Sequence, residues 1–79
     1  MASIDFDLRQ LEIFCRVVEL QSFSRAAEAV FLTQASVSER ISGLENSVGV
    51  RLLDRLGRQV LPTKAGELLY RQAIRLLDM

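Results

Sequence analysis

The chain contains no histidine and a single cysteine, and these two shortages remove whole classes of chemistry. Without imidazole there is no histidine general base and no Cys/His zinc site, and one thiol cannot close a disulfide within the chain. A phosphate-cradling glycine loop and a cluster of metal ligands are also missing, so no catalytic residue, cofactor or metal ligand is assigned and the chain does not read as an enzyme. No apolar run is long enough to span a bilayer, and an N-terminus carrying Asp5 and Asp7 is unlike a cationic leader, which predicts a soluble, cytoplasmic protein with no membrane partner. An excess of either charge is absent too: ten Lys and Arg balance ten Asp and Glu. Most nucleic-acid-binding domains are basic overall.

What is present is apolar patterning and an uneven spread of charge. Seventy-nine residues, 49% of them hydrophobic, suffice for one compact core. Residues 1–33 carry two more carboxylates than cations, and residues 34–66 two more cations than carboxylates. The positive excess thus falls in the middle of the chain.

The helical pattern opens at Asp7, which with Gln10 forms a capping pair. Leu8, Leu11, Phe14, Cys15 and Val18 then line a core face. Cys15 reads as a small buried residue rather than a reactive thiol. Ile13, Val17 and Leu20 make a second apolar stripe that a lone small domain would have trouble covering, which implies a partner helix. Ser24 is the expected N-cap of a short second helix with Ala26, Ala27 and Val30 on its narrow face. Thr33 is expected to cap a third helix in which Val37, Ile41, Leu44 and Val48 repeat at helical spacing; Ser36 with Glu39 also fits a capping box, which would start that helix three residues later. Gly49 ends it. Two extended segments, 51–55 and 59–61, flank a Leu56-Gly57-Arg58 turn, and Pro62 is expected to stop their pairing. Thr63 caps a final helix from Lys64 to Met79, with Ala65, Leu68, Leu69 and Leu76 on one side and Tyr70, Ile74 and Leu77 on another.

The third helix has the two faces that groove entry requires. Opposite its dry stripe stand Ala35, Glu39, Ser42 and Asn46, with Ser36, Ser38 and Gly43 at the margins. An ordinary solvated face carries longer side chains; this one is short and hydrogen-bonding. Gln34 offers an amide that matches adenine's major-groove edge, and Ala35 a methyl suited to thymine. Ser36 and Ser38 can bond phosphate or base, and Thr33 with the first backbone amides can hold a phosphate. Glu39 is repelled by phosphates yet can accept from cytosine's amine. Arg40, on the flank, suits backbone contact. Arg55 and Arg58 flank a turn narrow enough to approach the minor groove or its phosphates, whereas Arg51 beside Asp54 suits a local ion pair.

From Leu8 to Gly66 the chain resembles the N-terminal DNA-binding domain of LysR-type transcriptional regulators. The resemblance rests on SFSRAAE, on TQ with a serine beyond it, on LE, and on GVRLLDR followed by T-x-AG. It implies a mainly α fold: a winged helix-turn-helix of three helices and a two-stranded wing over 1–62, with the helix-turn-helix at about 23–42 and the wing at about 51–62. A long linker helix starts over 63–79, and a separate C-terminal effector-binding domain, the seat of any small-molecule effector, is absent from this chain. The family pattern implies that Thr33, Gln34, Ala35, Ser38 and Glu39 contact double-stranded DNA with the wing arginines nearby. Ala35 stands where proline is frequent, and Glu39 where a basic or amide residue is usual. The resemblance also implies a homodimer through the linker helix, with Tyr70, Ile74 and Leu77 against the partner and Ile13, Val17 and Leu20 covered by the same contact. The alternative is a winged-helix protein-interaction module, which the zero net charge and Glu39 leave open.

Overall fold

The computed structural model describes residues 7–77. Helices α1 (Leu8–Leu20), α2 (Phe23–Val30) and α3 (Gln34–Val48) precede an antiparallel hairpin, β1 (Leu53–Leu56) and β2 (Gln59–Pro62), and α4 (Lys64–Leu77) follows. This is the winged helix-turn-helix with a trailing long helix that the sequence implies. Residues 1–6 and 78–79, the outer ends of the expected segments 1–62 and 63–79, lie outside the described residues.

Each helix starts on a side chain that takes an orphan amide. Asp7 accepts from the Gln10 amide at 2.9 Å while Gln10 accepts from the Asp7 amide at 3.1 Å, the expected reciprocal cap. The N-cap of α2 is Ser22, two residues before the expected Ser24, because Ser22 is the hydroxyl that reaches the Arg25 amide, at 3.1 Å. Thr33 accepts from the Ser36 amide at 3.0 Å, so α3 has the earlier of its two candidate starts. Both short interhelical turns are made by non-glycine residues in the left-handed region, Gln21 at φ 55° and Phe31 at φ 61°.

The core corrects several expectations about which faces are covered. Helix α1 packs against α2, α3, α4 and β2, so its apolar residues are covered from several sides while Arg9, Glu12, Arg16 and Glu19 keep a solvent face. Ile13 and Val17, expected to await a partner, are 0% exposed within this one chain. Only Leu20 of that stripe stays exposed, and Leu8, expected in the core, is exposed as well. Val37, Ile41 and Leu44 of α3 are buried as expected, but Val48, the last residue of the helix, is exposed.

Helix α4 also divides differently. Tyr70, Ile74 and Leu77 turn inward and pack, half-buried, on the core of their own chain. The Tyr70 hydroxyl donates to Glu19 of α1 at 2.8 Å. The apolar side chains left exposed are Leu68 (60%) and Leu76 (49%). Strand β1 begins at Leu53, later than the expected 51, since Arg51 and Leu52 are engaged elsewhere. Pro62 does not stop the pairing: it faces Leu53 in register, and the Thr63 amide donates to the Leu52 carbonyl at 2.9 Å beyond it. At the end of a two-stranded ribbon proline's missing N–H costs nothing.

Candidate nucleic-acid interface

Helix α3 presents the exposed face drawn from its sequence. Ala35, Glu39, Ser42 and Asn46 are all exposed, as are Thr33 and Gln34 at its start; Ser36, Ser38 and Arg40 are half-buried along the margins. The capping bond from Thr33 leaves the amides of Gln34 and Ala35 at the positive end of the helix dipole, where an anion is stabilised. Side chains on this face are short, so a partner can come close to the backbone.

The wing stands beside that helix start. Leu56 and Gln59 pair across a two-residue Gly57-Arg58 turn. Gly57 has φ 63° and an added Cβ would meet nothing within 4 Å, so glycine is needed there for its conformation, not for space. Arg58 occupies the tip, exposed, and makes no ion pair among the described residues. Between tip and helices lies a shallow polar groove bordered by Ser22, Ser24, Gln34, Arg55 and Arg58.

Arg55 is placed quite differently from Arg58. Its guanidinium lies over the Phe23 ring, 4.4 Å from the centroid, and one nitrogen reaches the Ser38 hydroxyl at 3.4 Å. Arg51 is occupied locally, as its neighbour suggested: it faces Asp54 at 3.5 Å and donates to the Leu53 carbonyl at 3.1 Å. Arg40 is held by its backbone, whose carbonyl accepts from the Gln10 side chain at 3.4 Å.

Three supporting residues escaped the sequence reading. Glu45 accepts from the backbone amides of both Leu52 and Leu53, at 2.8 and 3.2 Å, and so clamps the foot of the wing to α3. A signal was there: a carboxylate in the last turn of a helix opposes the dipole and needs another partner. Phe23 carries Arg55, and Gln21 binds the wing twice, its carbonyl accepting from Val60 at 3.4 Å and its side chain from Gln59 at 3.3 Å. Nothing in the local pattern marks those two.

Among the described residues no group of three or more His, Cys, Asp or Glu could hold a metal, and no helix is long and apolar enough to cross a membrane. Cys15 is buried, and burial pushes its thiol up to about 11. A protonated, enclosed thiol is a poor nucleophile.

Comparison with known proteins agrees with this geometry. The sequence model of the bacterial regulatory helix-turn-helix proteins of the lysR family matches residues 8–67. The SDS degradation transcriptional activation protein of a Pseudomonas strain is 53% identical over 72 residues, covering 91% of this chain and 24% of that protein. The crystal structure of the DNA-binding domain of BenM, a regulator of Acinetobacter baylyi, in complex with catB site 1 DNA superposes with a TM-score of 0.89 at 41% identity, covering 92% of this chain and 78% of that one. The CbnR DNA-binding domain in its DNA complex gives 0.88 at 32% identity, covering 92% and 84%. The chain spans between about a quarter and a half of the length of the first curated relatives it matches, 24% and 51% for two of them.

Proposed function

Because the chain belongs to the lysR family of bacterial regulatory helix-turn-helix proteins, we propose that it is the sequence-specific DNA-binding part of a transcriptional regulator. In this reading α3 enters the major groove and Arg58 at the wing tip meets the minor groove or the flanking phosphates. The observation that carries it is the short, unobstructed face of α3, with Ala35, Glu39, Ser42 and Asn46 exposed beside an arginine-tipped wing. The likeness to domains solved on DNA supports the same docking.

Within that docking, Gln34 and Glu39 read bases, Ala35 meets a thymine methyl, and Thr33, Ser36 and Arg40 hold the backbone. Such a regulator works in the cytoplasm, and its relatives are regulators rather than enzymes. The longer relatives leave room for a separate effector-binding domain of the kind the family resemblance implies. Two copies join through α4 and bind an inverted repeat whose half-sites are spaced by whole helical turns, about 10 base pairs each.

Selection of bound duplexes from a random pool, repeated with Gln34→Ala and Glu39→Gln, tests the base-reading roles. Each variant is expected to relax preference at a different position, whereas Arg58→Ala weakens binding on every sequence and flattens its salt dependence. Retention of the wild-type site by both variants of α3 would overturn the assignment. Wild-type binding that is indifferent to salt would favour the protein-interaction reading instead.

A further inference from the structure

Arg55 and Arg58 belong to the same hairpin and carry the same charge, but they do different things. Arg58 is at the exposed turn. Arg55, one register step from the end of β1, reaches back over two helices: its guanidinium covers the ring of Phe23, the first residue of α2, and its edge meets Ser38 in the second turn of α3. Phe23 is buried, so the ring is a fixed platform.

We infer that Arg55 is a positioning residue, a strut that sets the wing against α3 and makes Ser38 a hydrogen-bond donor toward DNA, while Arg58 supplies the wing's free cation. The inference rests on the DNA-binding reading above. A planar guanidinium can stack on a ring and donate from its edge in the same pose; an ammonium cannot. The consequence for Ser38 follows from its single oxygen. A hydroxyl has one proton to give and two lone pairs. With a cation donating to it, the oxygen becomes a weaker acceptor and its O–H a stronger donor. Ser38 then favours base edges that carry acceptors, guanine O6 and N7, adenine N7 or thymine O4, and disfavours the exocyclic amine of cytosine.

Arg55→Lys preserves the charge and removes the two-sided contact, so it separates a strut from a phosphate-neutralising cation. In the free 79-residue protein, the Arg55 side-chain protons are expected upfield of their usual NMR positions through the ring current of Phe23, and Phe23→Leu restores them. On a selected duplex, Arg55→Lys loses about fivefold in affinity, the upper scale of an exposed cation–π contact, while Arg58→Lys stays within about twofold. Phe23→Leu combined with Arg55→Lys is no weaker than the worse single variant, since both break one contact. Arg55→Lys also admits cytosine at the base facing Ser38, a change that mere loss of stability does not produce.

An absent ring-current shift overturns the inference. So does Arg55→Lys binding as well as Arg58→Lys with an unaltered base preference. Should Phe23→Leu prove unfolded at the assay temperature by circular dichroism, the comparison of Arg55→Lys with Arg58→Lys decides, because both side chains are exposed and neither is itself part of the core. A wild-type chain that carries the ring-current shift yet fails to bind any duplex removes the DNA-binding reading and this role together, whereas normal binding with an indifferent Arg55→Lys removes the role alone.

Discussion

Cys15 and Tyr70 lie on the contact between α1 and α4 and both resist losing their protons. Burial raises the thiol from 9.0 to about 11, with nearby Glu19 adding to the shift. The Tyr70 phenol is raised from 10.0, chiefly by the bond it donates to Glu19. In both cases the fold favours the protonated form, so the stabilisation is complete below the unfolded-state value and disappears as pH climbs through the folded one. Urea unfolding followed from pH 8 upward should therefore show stability falling from about pH 9, with the thiol's share gone above about 11. Cys15→Ala is expected to lower stability at neutral pH by the loss of packing and to flatten the alkaline decline; an unchanged slope would mean that the thiol is not the titrating group. The same residue marks what a spacing pattern conveys well, since its place among Leu11 and Phe14 sufficed to assign it to the core.

At the scale of elements, the joint between the wing and α4 is the most exacting. A Cβ added to Gly66 would lie 2.0 Å from the Leu52 carbonyl oxygen, a backbone atom that cannot swing aside. Gly66→Ala is expected to destabilise the chain by about 1–3 kcal/mol, although alanine is the better helix former, and the shift of the urea midpoint measures it. The helices were legible because their signals are local: Asp7 with Gln10 and the recurrence of Val37, Ile41 and Leu44 each depend on neighbours within one or two turns, whereas the cap of α2 fell on Ser22 rather than Ser24 and the start of α3 had two candidates, because neighbouring hydroxyls carry the same signal. The coverage of faces was not legible. Whether Ile13 and Val17 need a partner depends on how many elements surround α1, and no periodicity within α1 encodes that. The same holds in the interface, where the exposed row from Ala35 to Asn46 could be drawn from a helical wheel while the anchoring of Arg55 on Phe23 joins residues from separate elements.

For the molecule as a whole, the revised α4 surface changes where a second copy is expected to sit. Tyr70, Ile74 and Leu77 are engaged in their own chain, as are Ala65 and Leu69, so the proposed dimer seam moves to the exposed ridge of Leu68 and Leu76, with Gln72 between them. Leu76→Asp is expected to shift sedimentation from dimer to monomer and to weaken binding to an inverted repeat far more than to a single half-site, while Ile74→Asp chiefly lowers the melting temperature. A dimer that survives Leu76→Asp and Leu68→Asp would exclude this seam. The zero net charge is a sum of local excesses, two carboxylates over residues 1–33 against two cations over residues 34–66.

Thr63 donates to the Arg51 carbonyl at 2.7 Å and accepts from the Gly66 amide at 3.0 Å, so α4 leaves the wing through a joint with no slack. A helix of this length reaches about 21 Å, and tilting it by about 10° at its root carries the far end through about 4 Å, more than the about 3.4 Å between successive base pairs. In a pair of copies joined along α4, that joint would act as a caliper. Operators whose halves differ by one base pair in separation would be told apart by how firmly the Thr63 hydrogen bonds hold the root of α4.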